Sequence, residues 1–154
     1  MHLPLTALDT LPIITASFLS GAIASVSLLT IPVILETSTS ANQLLHQWTR
    51  IYQRGHIQGP IISSVTGLLY AYAAWRRHDA GLQSTAACLT VGMIPYTWIF
   101  MAGTNTSLFA AAERGGAADR VEAERLVGTW RFLNFVRALF PLSGAVVGVL
   151  SLFS

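Results

Sequence analysis

Four apolar stretches divide the chain, at Leu11–Leu35, Ile57–Trp75, Ser84–Met101 and Phe132–Phe153. Each comes near the roughly 20 residues a helix needs to cross the hydrocarbon of a bilayer. None alternates with the period of two that a barrel strand shows. The pattern predicts an all-α fold, a single-domain integral membrane four-helix bundle. The second stretch is the most polar, with Ser63, Ser64, Thr66, Tyr70 and Tyr72. It fits a span only if it packs inside the bundle. Ser17, Gly21 and Ser25 in the first span, and Gly144 and Gly148 in the fourth, set small residues four apart. That spacing lets helix backbones approach closely. Small residues are common in membrane helices, so neither stripe specifies a dimer, and a homo-oligomer stays open.

The connections have patterns of their own. From Ser40 to Arg54, Leu44, Leu45, Trp48, Ile51 and Tyr52 share one helical face. Ser40 suits an N-cap and Gly55 a C-terminal stop. The first connection is therefore predicted to hold a short interfacial helix, with Trp48 and Tyr52 at the headgroup level. The third connection opens on Gly115-Gly116 and continues into a helix-forming segment from Ala117 to Arg125. That segment is predicted to extend the fourth span outward, with its charges on a solvated face.

Composition agrees with a membrane setting. The chain is 53% apolar and 10% charged, against about 25% charged in soluble domains. All nine basic residues are arginines, scattered without a patch, so no nucleic-acid partner is expected. Cys88 is alone, which excludes an internal disulfide framework. Arg50, Arg54, Arg114, Arg120, Arg125 and Arg131 fall to the first and third connections, and only Arg76 and Arg77 to the second. The positive-inside rule then puts both termini on the extracytosolic side of a multi-pass protein, here assigned to an endomembrane of the ER type. The opening MHLPLTALDTLP has no basic residue, so the first span reads as retained rather than as a secretory signal.

Against this background Arg137 stands out, in the middle of FLNFVRALFPLSGAVVGVLSLF. A charged side chain within hydrocarbon costs roughly 2.5–3.5 kcal/mol on insertion scales, and it tends to face a bundle interior. Near the membrane surface it would instead snorkel. Asn134 lies three residues earlier on the same helical face. The third span is interrupted by Pro95 and leads into Thr104-Asn105-Thr106, at the level of the fourth span's entry. Trp48, Tyr52 and His56 belong to that level too. Polar groups converging in a bundle core make a default ligand site. His56 is the histidine placed for proton transfer, since imidazole accepts and returns a proton near neutral pH. His46 and His78 are expected to be exposed, and His2 is terminal. Glu36, His46 and His56 make only a weak metal pattern, so no metal site is expected. No phosphate-binding or nucleophile motif occurs.

The elements Trp48…Tyr52…Gly55-His56…Pro60, Leu69-Tyr70-Ala71-Tyr72, Ile94-Pro95-Tyr96-Thr97 with Thr104-Asn105, and Trp130…Asn134…Arg137…Pro141 resemble the anthrone oxygenase family, in order and over almost the whole chain. One departure is Gly103, where the family carries proline before the Thr-Asn pair. The resemblance implies oxidation of a hydrophobic aromatic polyketide, an anthrone, to an anthraquinone, with O2 as co-substrate and no flavin, haem or metal cofactor. On that reading His56 is the base, and Arg137 with Asn134 donates hydrogen bonds to the developing oxyanion. Asn105 and Thr104 position the substrate or the peroxide. Trp48, Tyr52 and Trp130 stack on its rings, with Tyr96 also against the substrate. Two rival readings remain: a non-catalytic four-span scaffold or lipophilic-ligand carrier, and a metal- or haem-dependent redox enzyme using His46 and His56.

Overall fold

The computed structural model of the chain describes residues 7–77 and 80–153, so His2 and His78 lie outside it. The described residues build four long helical rods and contain no strand. The first rod is α1 (Ala7–Ser25), a π-helical turn (Val26–Thr30) and α2 (Ile31–Thr37). The second is α3 (Ala41–Arg77). The third is α4 (Ala80–Tyr96), a second π turn (Thr97–Met101) and α5 (Ala102–Glu113). The fourth is α6 (Arg120–Leu150). The first, third and fourth rods are long and apolar enough to cross a membrane.

The rods form a ring in which α1 and α4 each pack between α3 and α6. Arg120 Nη1 donates to Ser38 O at 3.0 Å, tying the first connection to the third. Gln83 Nε2 donates to Ser151 Oγ at 2.6 Å, tying the start of the third rod to the C-terminal end. The first and third connections thus share one end of the bundle. Asp119 caps α6 there, accepting from the N–H groups of Val121 and Glu122. This satisfies two of the donors that a helix start leaves free, and α6 extends the fourth span outward as its sequence predicts.

The separate interfacial helix is not seen. One helix runs from Ala41 to Arg77, through both Gly55 and Pro60. Leu44, Leu45 and Trp48 are buried against Leu108, Ala111, Leu126, Val127 and Trp130, not turned to a headgroup region. The apolar face of this segment has found protein partners. Continuing the helix also avoids two termini whose backbone groups would each need capping.

α3 has inverted polarity below that point. Its inward side chains are Ser63, Thr66 and Tyr70, all buried. Ser63 Oγ donates to Thr90 O at 2.9 Å, Thr66 Oγ1 to Thr15 Oγ1 at 3.1 Å and Tyr70 OH to Gly144 O at 3.1 Å. Ile57, Ile61, Val65, Leu68, Tyr72 and Trp75 point outward at three- and four-residue spacing.

Prolines bend the pattern without stopping it. The third rod continues through Pro95 into its π turn and on to Glu113, so Pro95 does not break the span. In the first rod, Pro32 has no N–H to give. The preceding turn widens, and the N–H of Ile31 reaches back five residues to Val26 O. The small-residue stripes also part company. Gly21 has no atom within 4 Å of a Cβ built on it, and Ser17 and Ser25 are not in the core. Gly144 does carry a close approach: a Cβ there would meet Thr90 Oγ1 and, at 2.9 Å, Ala86 O.

Candidate functional site

Two cavities open beside α3, near the middle of the bundle. The first, about 230 Å³, lies among α1, α3 and α6, with Phe18, Ala22, Ile23, Gly55, Gly59 and Ile62 in its walls. The second, about 380 Å³, lies between α3 and the third rod, with Pro60, Ile94, Thr97, Trp98, Thr106 and Phe109. Tyr52, His56, Asn105 and Arg137 line both. Trp130 and Asn134 line the first. Six of the nine residues singled out in the sequence therefore meet here.

The hydrogen bonds decide what each polar group has left to offer. Asn134 Nδ2 donates to Ile23 O at 3.1 Å and to Ser27 Oγ at 2.7 Å. Its Oδ1 accepts from Arg137 Nη2 at 2.7 Å. Both amide hydrogens are engaged, so Asn134 has no donor for a substrate oxyanion and instead orients Arg137. Arg137 Nε is buried with no partner among the described residues. A buried donor without an acceptor is costly, and the guanidinium that carries it lines both cavities. Asn105 is the complementary case. Trp130 Nε1, which can only donate, gives its hydrogen to Asn105 Oδ1 at 3.0 Å. The amide is thereby oriented with its oxygen occupied and Nδ2 left to donate.

His56 follows the same logic. Its Nδ1 lies 3.2 Å from Tyr52 O and 3.0 Å from Gln53 O. Carbonyl oxygens only accept, so the proton is assigned to Nδ1 and the lone pair to Nε2. The ring stacks on Tyr52 with centroids 5.2 Å apart and planes 4° from parallel.

Three predicted residues stand elsewhere. Trp48 is fully buried and lines neither cavity, packing on Tyr52, Phe109 and Trp130 at centroid distances of 5.4, 5.2 and 5.9 Å. It supports the wall from behind. Tyr96 donates to Leu133 O at 3.3 Å and packs on Phe100 and Phe140. Thr104 lines neither cavity, whereas Thr106 lines the second.

The sequence reading missed Ser27 and Arg131. Arg131 Nε donates to Ser27 O at 2.9 Å, so this arginine reaches back to the π turn and is not simply a charge of the third connection. The only signal for that turn was Pro32, five residues beyond Ser27. Among the described residues, no three His, Cys, Asp or Glu side chains cluster as a metal site would require. His46 and His56 both lie on α3, ten residues and therefore about 15 Å of helix rise apart. They cannot share one ion.

No solved structure matches the chain. Known proteins do. The profile described as anthrone oxygenase matches residues 48–147. Monooxygenase hypC of Dothistroma septosporum is 56% identical over 151 residues, covering 94% of this chain and 82% of its own length. Noranthrone monooxygenase of Aspergillus flavus is 50% identical over 146 residues, covering 90% and 70%. Anthrone oxygenase AgnL2 of Paecilomyces divaricatus is 43% identical over 155 residues, covering 94% of each. The matched profile spans α3 through most of α6, the elements that supply the polar wall of both cavities. The chain belongs to the anthrone oxygenase family.

Proposed function

We propose that this protein is a membrane-embedded oxygenase that converts a hydrophobic polyketide anthrone to the anthraquinone, with O2 as co-substrate and no metal or organic cofactor. One observation carries the reading beyond the family resemblance. The wall shared by the two cavities brings together one lone pair, at His56 Nε2, the Arg137 guanidinium, which is bonded within the protein only through Nη2, and the amide donor Asn105 Nδ2.

An anthrone carries an acidic methylene opposite its ketone. His56 Nε2 takes a methylene proton, and the charge that gathers on the ketone oxygen is met by Arg137 and Asn105. Fixed donors aimed at a developing oxyanion in a water-poor site are an effective form of catalysis. The resulting anion passes an electron to O2, and the radical pair combines at the former methylene carbon. The peroxide takes a proton back, the remaining hydrogen on that carbon is lost, and the O–O bond breaks. One oxygen atom becomes the second carbonyl, and the other leaves as water with two hydrogens. Trp130 and Asn134 orient the donors, while Tyr52 and Phe109 offer aromatic surface to the rings.

The setting is a four-span membrane protein. Residues 10–35, 55–75, 80–112 and 138–154 contain no charged side chain, and α3 turns its apolar stripe outward. The arginine bias supports extracytosolic termini and an endomembrane of the ER type. A lipophilic anthrone partitions into such a membrane and reaches the cavities sideways, between helices. The test is oxidation of an anthrone by purified protein in lipid nanodiscs, in air, under nitrogen and with 18O2. Quinone formed only with O2, and carrying one labelled oxygen above the uncatalysed background, is expected. Equal rates with and without the folded protein would leave a scaffold as the better reading.

A further inference from the structure

We infer that Gly55 is a specificity-determining position, because the first cavity takes an apolar substituent of the substrate while its fused rings lie in the second. The inference rests on the anthrone reading.

The two cavities differ in size and in one wall. The second is the larger, about 380 Å³ against 230 Å³, and is the one with room for flat fused rings beside Tyr52, Trp98 and Phe109. The first also has aromatic side chains, Phe18, Tyr52 and Trp130, but adds a wall of Leu19, Ala22, Ile23, Val26 and Ile62. That aliphatic wall suits a flexible hydrocarbon group. Tyr52, His56, Asn105 and Arg137 border both spaces, so a reacting carbon held at that wall leaves room on either side.

Gly55 stands where the first cavity meets this wall. Glycine is a poor helix residue, and it needs a reason in the middle of α3. The backbone supplies none, since the only glycine with positive φ among the described residues is Gly115. Packing supplies none either, because a Cβ on Gly55 would meet no atom within 4 Å. At Gly59, one turn further on, Met93 Cε stands 3.5 Å away. What Gly55 provides is therefore empty space for a ligand. A side chain placed there takes volume from the substrate and not from a neighbouring helix.

The experiment compares kcat/KM for two anthrones, one with only hydroxyl groups on its rings and one that also bears a straight alkyl chain. Wild type and Gly55→Leu are measured on both. The ratio of chain-bearing to chain-free substrate should fall tenfold or more in the variant, chiefly through KM, because one or two methylenes in an apolar pocket already discriminate to that degree. Ala22→Leu, on the opposite wall, should shift the ratio the same way. Leucine favours helix over glycine, so a folded variant is expected, and circular dichroism checks it. An unchanged ratio in both variants, or a shift toward the chain-bearing substrate, overturns the assignment of Gly55. Failure of wild type to oxidise either compound would remove the anthrone reading itself, which the variants alone do not.

Discussion

Asn105 and Asn134 are the same residue type in the wall of the same cavity, and their neighbours leave them with opposite capacities. Asn134 spends both amide hydrogens on Ile23 and Ser27 and gives its oxygen to Arg137. Asn105 gives its oxygen to Trp130 and keeps its hydrogens. Arg137→Ala should therefore lower turnover by a factor of order 10²–10³, the usual loss when one oxyanion donor is removed. Arg137→Lys should not restore the rate, because an ammonium lacks the planar two-donor fork. His56→Ala should also slow the reaction. Raising the pH should recover it partly, since hydroxide can replace a base for an acidic methylene, while the Arg137 variants should gain no such recovery. Normal turnover by folded Arg137→Ala protein would make the polar cluster structural. At this scale the sequence was informative about Arg137, His56 and Asn105, because a polar side chain in an apolar run must be answered by something. It said nothing of Ser27, whose role depends on a carbonyl and a hydroxyl that a change in helix register turns toward α6.

The elements show where local reading stops being sufficient. The helices themselves were legible from apolar length, and α6 does extend the fourth span into the third connection. The joins were not. Gly55 and Pro95 read as a stop and a break, yet both stay within continuous helix. Tertiary packing of Trp48 and its neighbours outweighs the weak local signal at Gly55, and a wider π turn follows Pro95. The two small-residue stripes make the same point, since equal spacing gave an outward face in α1 and a seam in α6. That difference is measurable. Gly144→Ala should destabilise the folded protein by about 1–3 kcal/mol, the typical cost of overpacking, because its Cβ would press on Thr90 and on the Ala86 carbonyl. Gly21→Ala, with open space around it, should be neutral or slightly stabilising. Thermal unfolding in detergent compares the two, and equal melting temperatures would contradict the seam.

For the molecule as a whole, the ring of four rods puts the first and third connections at one end, the end that the proposed orientation turns to the cytosol. With Cys88 replaced by serine, single cysteines at Thr39 and Gly116 should react with an impermeant reagent from one side of a sealed membrane, and a cysteine at Phe153 from the other. Labelling of Thr39 and Gly116 from opposite sides would refute four spans. The inverted polarity of α3 carries a consequence for biogenesis. A translocon sorts segments largely by their own hydrophobicity, and α3 places serine, threonine and tyrosine hydroxyls where a lone helix would face lipid. Its polar stripe is answered by Thr15, Thr90 and Gly144, which come from three different rods, two of them made later. A nascent chain ended at Arg77 should therefore leave α3 outside the hydrocarbon, as glycosylation-site mapping would register. Commitment of α3 to the bilayer should then wait for α4 and α6, and the proposed four-span protein should enter its membrane as a set of interdependent helices and not one span at a time.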